Sequence, residues 1–169
     1  MDTMQLEALG ETATWSAGEA LAPLLRPGDV LLLSGDLGAG KTQLVKGIAS
    51  GLGIAEPVTS PTFNILLVHH GRLPLYHVDL YRLDRADQLE DIDFFGTLEA
   101  GGVTAVEWGD RFREVVDAGT VRITIHIESD TKRLLEVVGS DRRGRELVSD
   151  WSRACDGIID LVVREDGSL

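Results

Sequence analysis

Short apolar runs and stretches with apolar residues at helical spacing alternate along roughly the first two-thirds of the chain. Residues 30–33, Val-Leu-Leu-Leu, are apolar throughout, which is the pattern of a strand buried on both faces of a sheet. Residues 42–52 instead place Leu44, Val45 and Ile48 on one side, as an amphipathic helix does. The same pattern predicts helices at residues 12–25, 42–52 and 145–159, one or two short helices within residues 85–100, and strands at residues 30–33, 63–69, 73–80, 103–106, 121–127 and 134–138.

This order of elements predicts an α/β fold. The alternation of strands and helices favours a mostly parallel central sheet flanked by helices. Residues 121–127 alternate between apolar and polar positions, and residues 134–138 are predicted to pair with them, so antiparallel strands are expected towards the C-terminus. A length of 169 residues fits a single domain spanning residues 1–169, of which residues 164–169 are expected to fray.

Composition narrows the classes of function. Acidic residues outnumber basic ones by 28 to 16 and the net charge is −12, so any role with nucleic acid is expected to pass through a protein partner. The single cysteine, Cys155, excludes an intramolecular disulfide and is expected to be an inert thiol. No signal peptide is apparent and no apolar run approaches the roughly 20 residues of a membrane helix, so a cytoplasmic protein is expected.

Residues 35–42, Gly-Asp-Leu-Gly-Ala-Gly-Lys-Thr, match the phosphate-binding pattern GxxxxGK[ST] between a predicted strand and a predicted helix. Glycines let backbone N–H groups approach phosphate oxygens, and the following helix directs the positive end of its dipole at the same anion. Lys41 is placed to bridge the outer phosphates, and the Thr42 hydroxyl to join a magnesium shell. The guanine-reading tetrapeptide Asn-Lys-x-Asp does not occur in the sequence. The motif therefore predicts a P-loop NTPase-type domain that binds ATP with Mg²⁺.

A phosphate site of this kind needs a carboxylate at the end of a neighbouring strand to hold the metal or its waters. Asp79 and Glu107 each follow an apolar strand, and their spacing does not choose between them. His77 fits either a contact to water or the γ-phosphate, or a packed core histidine. Trp108 fits stacking on a ligand or a partner as well as simple packing.

Ser60, Pro61 and Thr62 lie between the phosphate-loop helix and the next predicted strand. P-loop switch proteins place a loop that senses the γ-phosphate in this interval. Because hydroxyls here can reach magnesium or phosphate, we favour a switch over a plain proline turn.

Four blocks of the sequence share the order and spacing of one known family. They are residues 35–42, 59–63 (Thr-Ser-Pro-Thr-Phe), 76–83 (Tyr-His-Val-Asp-Leu-Tyr-Arg-Leu) and 106–108 (Val-Glu-Trp). In these blocks, over roughly residues 10–140, the chain resembles the bacterial TsaE (YjeE) family. Its members are ATPases that act in making the tRNA modification N6-threonylcarbamoyladenosine.

The resemblance implies roles for the matching residues. Thr42 and Glu107 would be magnesium ligands, Asp79 would be a functional carboxylate near the γ-phosphate, and Lys41 would complete the catalytic set with Asp79 and Glu107. Trp108 is expected to couple the site to partners. The nucleotide-binding set would be Glu11, Thr14, Asp36, Leu37, Gly38, Ala39, Gly40, Lys41, Thr42, Gln43 and Arg133, with Glu11 bordering the base.

The family acts with the TsaD–TsaB pair, in which TsaD transfers the threonylcarbamoyl group to adenosine 37 of tRNAs that read ANN codons. The resemblance implies that this chain hydrolyses ATP slowly alone and faster with these partners, and meets tRNA only through the complex. Two alternatives stay open, a nucleotide-gated switch and a small-molecule kinase. A kinase usually needs a lid of arginines, for which Arg111 and Arg113 form the close pair after the second acidic strand.

Overall fold

The computed structural model describes residues 2–164, which form one mixed sheet with helices on both faces. The strands are β1 (Thr3–Leu9), β2 (Val30–Gly35), β3 (Leu66–His69), β4 (Leu75–Asp79), β5 (Val103–Glu107), β6 (Val121–Ile127), β7 (Lys132–Gly139) and β8 (Leu161–Arg164). The helices are α1 (Glu11–Leu21), α2 (Lys41–Gly51), α3 (Gln88–Asp91), α4 (Phe94–Leu98), α5 (Arg113–Ala118) and α6 (Arg142–Cys155). None of the helices within residues 2–164 has the length and apolar character that crossing a membrane requires.

The sheet is parallel only at its centre. Its eight strands lie in the order β3-β4-β5-β2-β6-β7-β1-β8. The ladders β4–β5, β5–β2 and β2–β6 are parallel, whereas β3–β4, β6–β7, β7–β1 and β1–β8 are antiparallel. The prediction of a mostly parallel sheet is therefore wrong. Two of the antiparallel ladders, β3–β4 and β6–β7, have short connections that permit only antiparallel pairing, and the other two come from the edge strands β1 and β8, which make antiparallel ladders the majority.

The sequence pattern does not predict β1 or β8, which extend the antiparallel edge. β1 does alternate, with Met4, Leu6 and Ala8 buried, but its outward positions and small residues leave a weak apolar signal. β8 has only four residues. The predicted fraying of residues 164–169 lies outside the described residues, except for Arg164, which ends β8.

Apolar residues fill both sides of the sheet. On one face, α1, α2 and α6 pack over a core that includes Leu31, Leu33 and Ile123. On the other face, Leu32 and Val106 pack with residues of α3, α4 and α5. Successive residues of β2 thus enter opposite cores, so the predicted burial of this strand on both faces is confirmed.

The predicted strand at residues 63–69 begins only at Leu66. The Pro61 carbonyl accepts the N–H groups of Asn64 and Ile65, at 3.0 and 2.7 Å, so the chain turns before it extends. This turn keeps the residues before it at the edge of the parallel centre, where the candidate site lies.

Helices α1 and α2 pack so closely that their backbones touch. A Cβ atom at Gly47 of α2 would overlap the carbonyl oxygen of Trp15 in α1, so only glycine fits there. The contact holds Thr14 against the start of α2, with its Cγ2 3.6 Å from the place a Cβ would take on Gly40. Helix α1, which lies outside the phosphate-loop motif, is thereby brought next to that motif.

Cys155 is expected to be unreactive in the folded protein. Its side chain is fully buried at the end of α6, and burial raises the pKa of its thiol to about 12. Because the thiolate is the nucleophile, the reactive fraction near pH 8 falls by roughly 1000-fold relative to an ordinary cysteine. A disulfide reagent should label Cys155 only after unfolding, and rapid stoichiometric labelling of the native protein would contradict this burial.

Candidate functional site

The loop between β2 and α2 forms the floor of the candidate site. Gly38 and Gly40 have φ values of 81° and 113°, a region in which a side chain would be strained. The Asp36 carbonyl accepts the N–H of Ala39 at 3.0 Å and closes the turn. Because α2 begins at Lys41, the N–H groups of its first turn and its positive dipole end lie at this loop. Such a helix start is suited to anions.

A cleft of about 370 Å³ opens on this loop. It brings together Lys41, Asp79 and Glu107, which are far apart in the sequence. Five residues of the predicted set are not on its wall: Glu11, Thr14 and Arg133 lie in a neighbouring pocket, whereas Asp36 and Pro61 line neither. The wall consists of Leu37, Gly38, Ala39, Gly40, Lys41, Thr42, Gln43, Ser60, Thr62, Asp79, Glu107 and Trp108.

A smaller pocket of about 90 Å³ shares residues 38–40 and Gln43 with the cleft. It also contains Glu11, Thr14 and Arg133, the three residues outside the loop that the resemblance assigns to the nucleotide. The Gln43 amide donates to the Glu11 carbonyl at 3.3 Å and so links α2 to α1. The rest of the lining is Gly10, Asp130 and Thr131.

Arg133 supports the phosphate loop from the antiparallel edge of the sheet. Its Nε donates to the Ala39 carbonyl at 3.0 Å, and its Nη1 donates to the Ser129 carbonyl at 2.7 Å. The pairing of β7 with β1, which places Arg133 opposite Ala8, fixes it there. The guanidinium therefore brings a positive charge to the loop while it braces the backbone.

The Lys41 ammonium is held at the cleft by two contacts. It donates to the Gly35 carbonyl at 2.7 Å and lies 4.3 Å from the centroid of the Trp108 ring, a cation–π contact. Trp108 has a φ of 61°, a strained value for a bulky residue. Its ring also meets Tyr81 edge-on, with 5.1 Å between centroids. The strained backbone thus presents Trp108 to Lys41.

A chain of hydrogen bonds joins the segment 60–62 to Asp79. This carboxylate is 3% exposed, and one of its oxygens accepts the Thr62 hydroxyl at 3.1 Å while the other accepts the Tyr81 N–H at 2.9 Å. The hydroxyls of Thr62 and Ser60 lie 2.7 Å apart. The position of this loop therefore depends on contacts with Asp79.

Glu107 lies next to Asp79, because the two are register partners in the β4–β5 ladder. Its carboxylate Oε2 is 2.6 Å from Nε2 of His77. His77 is fully buried and does not belong to the cleft wall. Of its two interpretations, the packed, hydrogen-bonded histidine therefore agrees with the structure.

The donor set of the cleft fits magnesium. Thr42 and Glu107 offer a hydroxyl and a carboxylate on the same wall, and oxygen ligands of this kind suit Mg²⁺. No group of three or more His, Cys, Asp or Glu side chains within residues 2–164 is arranged to hold a metal ion by itself.

The two arginines considered for a kinase lid are engaged elsewhere. Arg111 donates to the carbonyl oxygens of Leu80 and Tyr81 at 2.6 and 2.8 Å. Arg113 is exposed and pairs with Asp117 along α5. Neither belongs to the described walls of the cleft or of the smaller pocket, so their arrangement does not favour a kinase.

Sequence reasoning missed the link between His77 and Glu107 and the place of Asp130 beside the phosphate loop. The contact between His77 and Glu107 was partly indicated by the sequence, because alternate residues of a strand share a face and His77 therefore lies on the same face of β4 as Asp79. Asp130 lies in the β6–β7 connection, and no local motif marks it.

The chain is similar to known proteins in both sequence and fold. The family model described as "Threonylcarbamoyl adenosine biosynthesis protein TsaE" matches residues 9–135. The chain is 44% identical over 127 residues to the tRNA threonylcarbamoyladenosine biosynthesis protein TsaE of Treponema pallidum, covering 75% of this chain and 93% of that protein. It is 36% identical over 154 residues to the TsaE protein of Bacillus subtilis, covering 90% and 96%. The crystal structure of Bacillus subtilis YdiB superposes with a TM-score of 0.73 at 32% identity, covering 89% of this chain and 95% of that one.

Proposed function

Because the chain belongs to the TsaE family, we propose that it is a magnesium-dependent ATPase that supports formation of N6-threonylcarbamoyladenosine at position 37 of tRNAs reading ANN codons. The observation that carries the proposal is one cleft walled by the phosphate loop, Thr62, Asp79 and Glu107. A P-loop, a sensing hydroxyl and strand-end carboxylates are the parts that phosphoryl chemistry requires.

The phosphates would bind along residues 36–43, whose backbone N–H groups and helix start favour anions. Lys41, whose ammonium donates to the Gly35 carbonyl at 2.7 Å, would contact the outer phosphates. The Thr42 hydroxyl and the Glu107 carboxylate would hold Mg²⁺, which when bound neutralises charge on the phosphates. Glu11, Thr14 and Arg133, in the smaller pocket, would border the base and sugar.

Asp79 would orient the attacking water, and the loop of Ser60, Pro61 and Thr62 would report whether a γ-phosphate is present. Both carboxylate oxygens of Asp79 are engaged, one by the Thr62 hydroxyl. If Thr62 turns towards phosphate or magnesium, that oxygen becomes free to accept a proton from water. Loop movement and hydrolysis would thereby be linked.

The partner of this ATPase would be the TsaD–TsaB pair. A net charge of −12 disfavours direct binding to tRNA, so the chain would meet tRNA only through that complex. Reconstituted TsaD–TsaB, supplied with tRNA and the threonylcarbamoyl donor, should modify tRNA over many cycles only when this chain and ATP are added. Mass spectrometry of the tRNA measures the product, and equal modification without the chain would contradict the proposal.

Trp108→Ala is expected to reduce stimulation by partners more than it reduces ATP affinity. A partly exposed cation–π contact contributes about 0.5–1 kcal/mol, so ATP affinity should fall by about fivefold or less. Most of the stimulation should be lost, because large aromatic side chains carry much of the energy of protein interfaces. Calorimetry gives the affinity and steady-state hydrolysis gives the stimulation. Trp108→Phe keeps an aromatic face over Lys41 and is the matched control, whereas equal loss of both properties would place Trp108 in nucleotide binding alone.

A further inference from the structure

His77 is a buried side chain that the proposed chemistry leaves without a role. We propose that His77 is a positioning residue, which fixes the Glu107 carboxylate so that one oxygen is held inside the protein and the other faces the magnesium site. The inference rests on the proposed function, because it assigns to His77 the orientation of a proposed magnesium ligand.

The strand register places His77 diagonally across from Glu107. In the parallel β4–β5 ladder His77 is opposite Ala105 and Asp79 is opposite Glu107. Positions two apart share a face of a strand, so His77 and Asp79 project from the face that also carries Leu75 and packs towards α2. The imidazole therefore approaches Glu107 on the face of the sheet that α2 covers, from two positions before the end of β4.

The contact between the two side chains is short and dry. Nε2 of His77 lies 2.6 Å from Oε2 of Glu107, and the side chains are 0% and 4% exposed. Hydrogen bonds to an ionised carboxylate are shorter and stronger than neutral ones. Little water is available to compete for the same oxygen, so the bond restrains the rotation of the carboxylate.

The proton arrangement follows from the second ring nitrogen. Nδ1 of His77 is buried and has no hydrogen-bond partner among the described residues. A buried N–H without an acceptor is rarer than an unpaired acceptor, so the tautomer that fits carries its proton on Nε2 and donates it to Glu107. This donor occupies Oε2, which leaves Oε1 as the oxygen for the cleft.

The oxygen ligands proposed in the cleft would bind magnesium tightly only if they are already oriented. Removing an outer partner that orients a ligand typically lowers metal affinity 10- to 100-fold. A purely structural histidine would affect folding but not the dependence of nucleotide binding on Mg²⁺. The Mg²⁺ dependence of nucleotide binding therefore distinguishes a positioning histidine from a purely structural one.

The test compares His77→Phe and His77→Gln in the full chain. Calorimetry measures ADP binding across a series of Mg²⁺ concentrations and in EDTA, and Mn²⁺ binding to the ADP complex is followed by paramagnetic resonance. We expect His77→Phe to raise the Mg²⁺ and Mn²⁺ concentrations needed by about 10- to 100-fold and to leave ADP affinity in EDTA within about twofold. His77→Gln, whose amide nitrogen is as many bonds from the backbone as Nε2, should recover most of the loss.

His69→Phe is the matched control, because His69 is also buried and its Nδ1 lies 2.8 Å from Glu56, away from the cleft wall. It should leave the Mg²⁺ dependence unchanged. A folded His77→Phe protein with the unaltered dependence, or a folded His77→Gln protein as impaired as His77→Phe, would overturn the positioning role. If the unaltered chain binds ADP without any effect of Mg²⁺, the proposed function fails together with the inference.

A measurement on the unaltered protein covers the case in which the phenylalanine variant does not fold. Nitrogen-15 resonance of the histidine rings reports which nitrogen carries the proton. We expect His77 to be protonated at Nε2 and not at Nδ1, with slow exchange of that proton. A ring protonated only at Nδ1 cannot donate to Glu107 and would overturn the inference.

Discussion

Lys41→Ala is expected to weaken ATP binding by about 100-fold. Of the described residues on the cleft wall, Lys41 alone carries a positive charge, and it is only 6% exposed. A hydrogen bond to a charged group contributes about 1.5–3 kcal/mol, and each 1.4 kcal/mol is about a tenfold change in affinity. Calorimetric titration with ATP and Mg²⁺ measures the loss directly.

The matched control for this variant is Lys46→Ala. Lys46 lies on the same helix, and its side chain is exposed, so its removal changes the net charge equally without touching the cleft. ATP affinity should stay within about twofold of the unaltered protein, as expected for a screened surface charge. Undiminished affinity in a folded Lys41→Ala protein would refute the assignment of the phosphate loop.

Glu107→Ala is expected to reduce ATP hydrolysis by about 100-fold or more and to remove most of the Mg²⁺ dependence of ATP binding. A metal ion at the phosphates supplies several kcal/mol of charge stabilisation, and the variant takes away the carboxylate proposed to hold it. Steady-state hydrolysis and calorimetry at several Mg²⁺ concentrations measure the two effects. Thermal unfolding must be followed in parallel, because His77 loses its partner as well.

Glu114→Ala controls for the loss of a carboxylate, since Glu114 is exposed in the first turn of α5. It should leave hydrolysis unchanged. If a folded Glu107→Ala protein keeps the normal Mg²⁺ dependence, the metal ligand is elsewhere, and Asp79, its register neighbour at the cleft, becomes the candidate.

The turn at residues 35–42 and the helix that follows it are predictable from the sequence because their physical requirements are local. Gly40 must turn with positive φ, and Lys41 and Thr42 must follow at the start of a helix. These constraints act on neighbouring residues and therefore leave a contiguous pattern. The strand β2 before the loop is equally visible, because burial on both faces demands an unbroken apolar run.

The rest of the site depends on contacts between distant segments, which a linear pattern does not record. Spacing does not distinguish Asp79 from Glu107, whereas the β4–β5 register brings both to one cleft and gives them different partners. The position of Arg133 depends on pairing with β1, and the sequence pattern does not predict β1 because its apolar signal is weak. The prediction of a mostly parallel sheet was wrong for the same reason. The edge strands β1 and β8, which the sequence pattern does not predict, pair antiparallel.

The most direct test is the rate of ATP hydrolysis by the purified chain, alone and then with TsaD–TsaB and tRNA. We predict slow hydrolysis by the chain alone, strong stimulation by the partners, and loss of the stimulated rate in Glu107→Ala. ATP that is bound but hydrolysed at the same slow rate with and without the partners would contradict an accessory ATPase and would favour a nucleotide-gated switch.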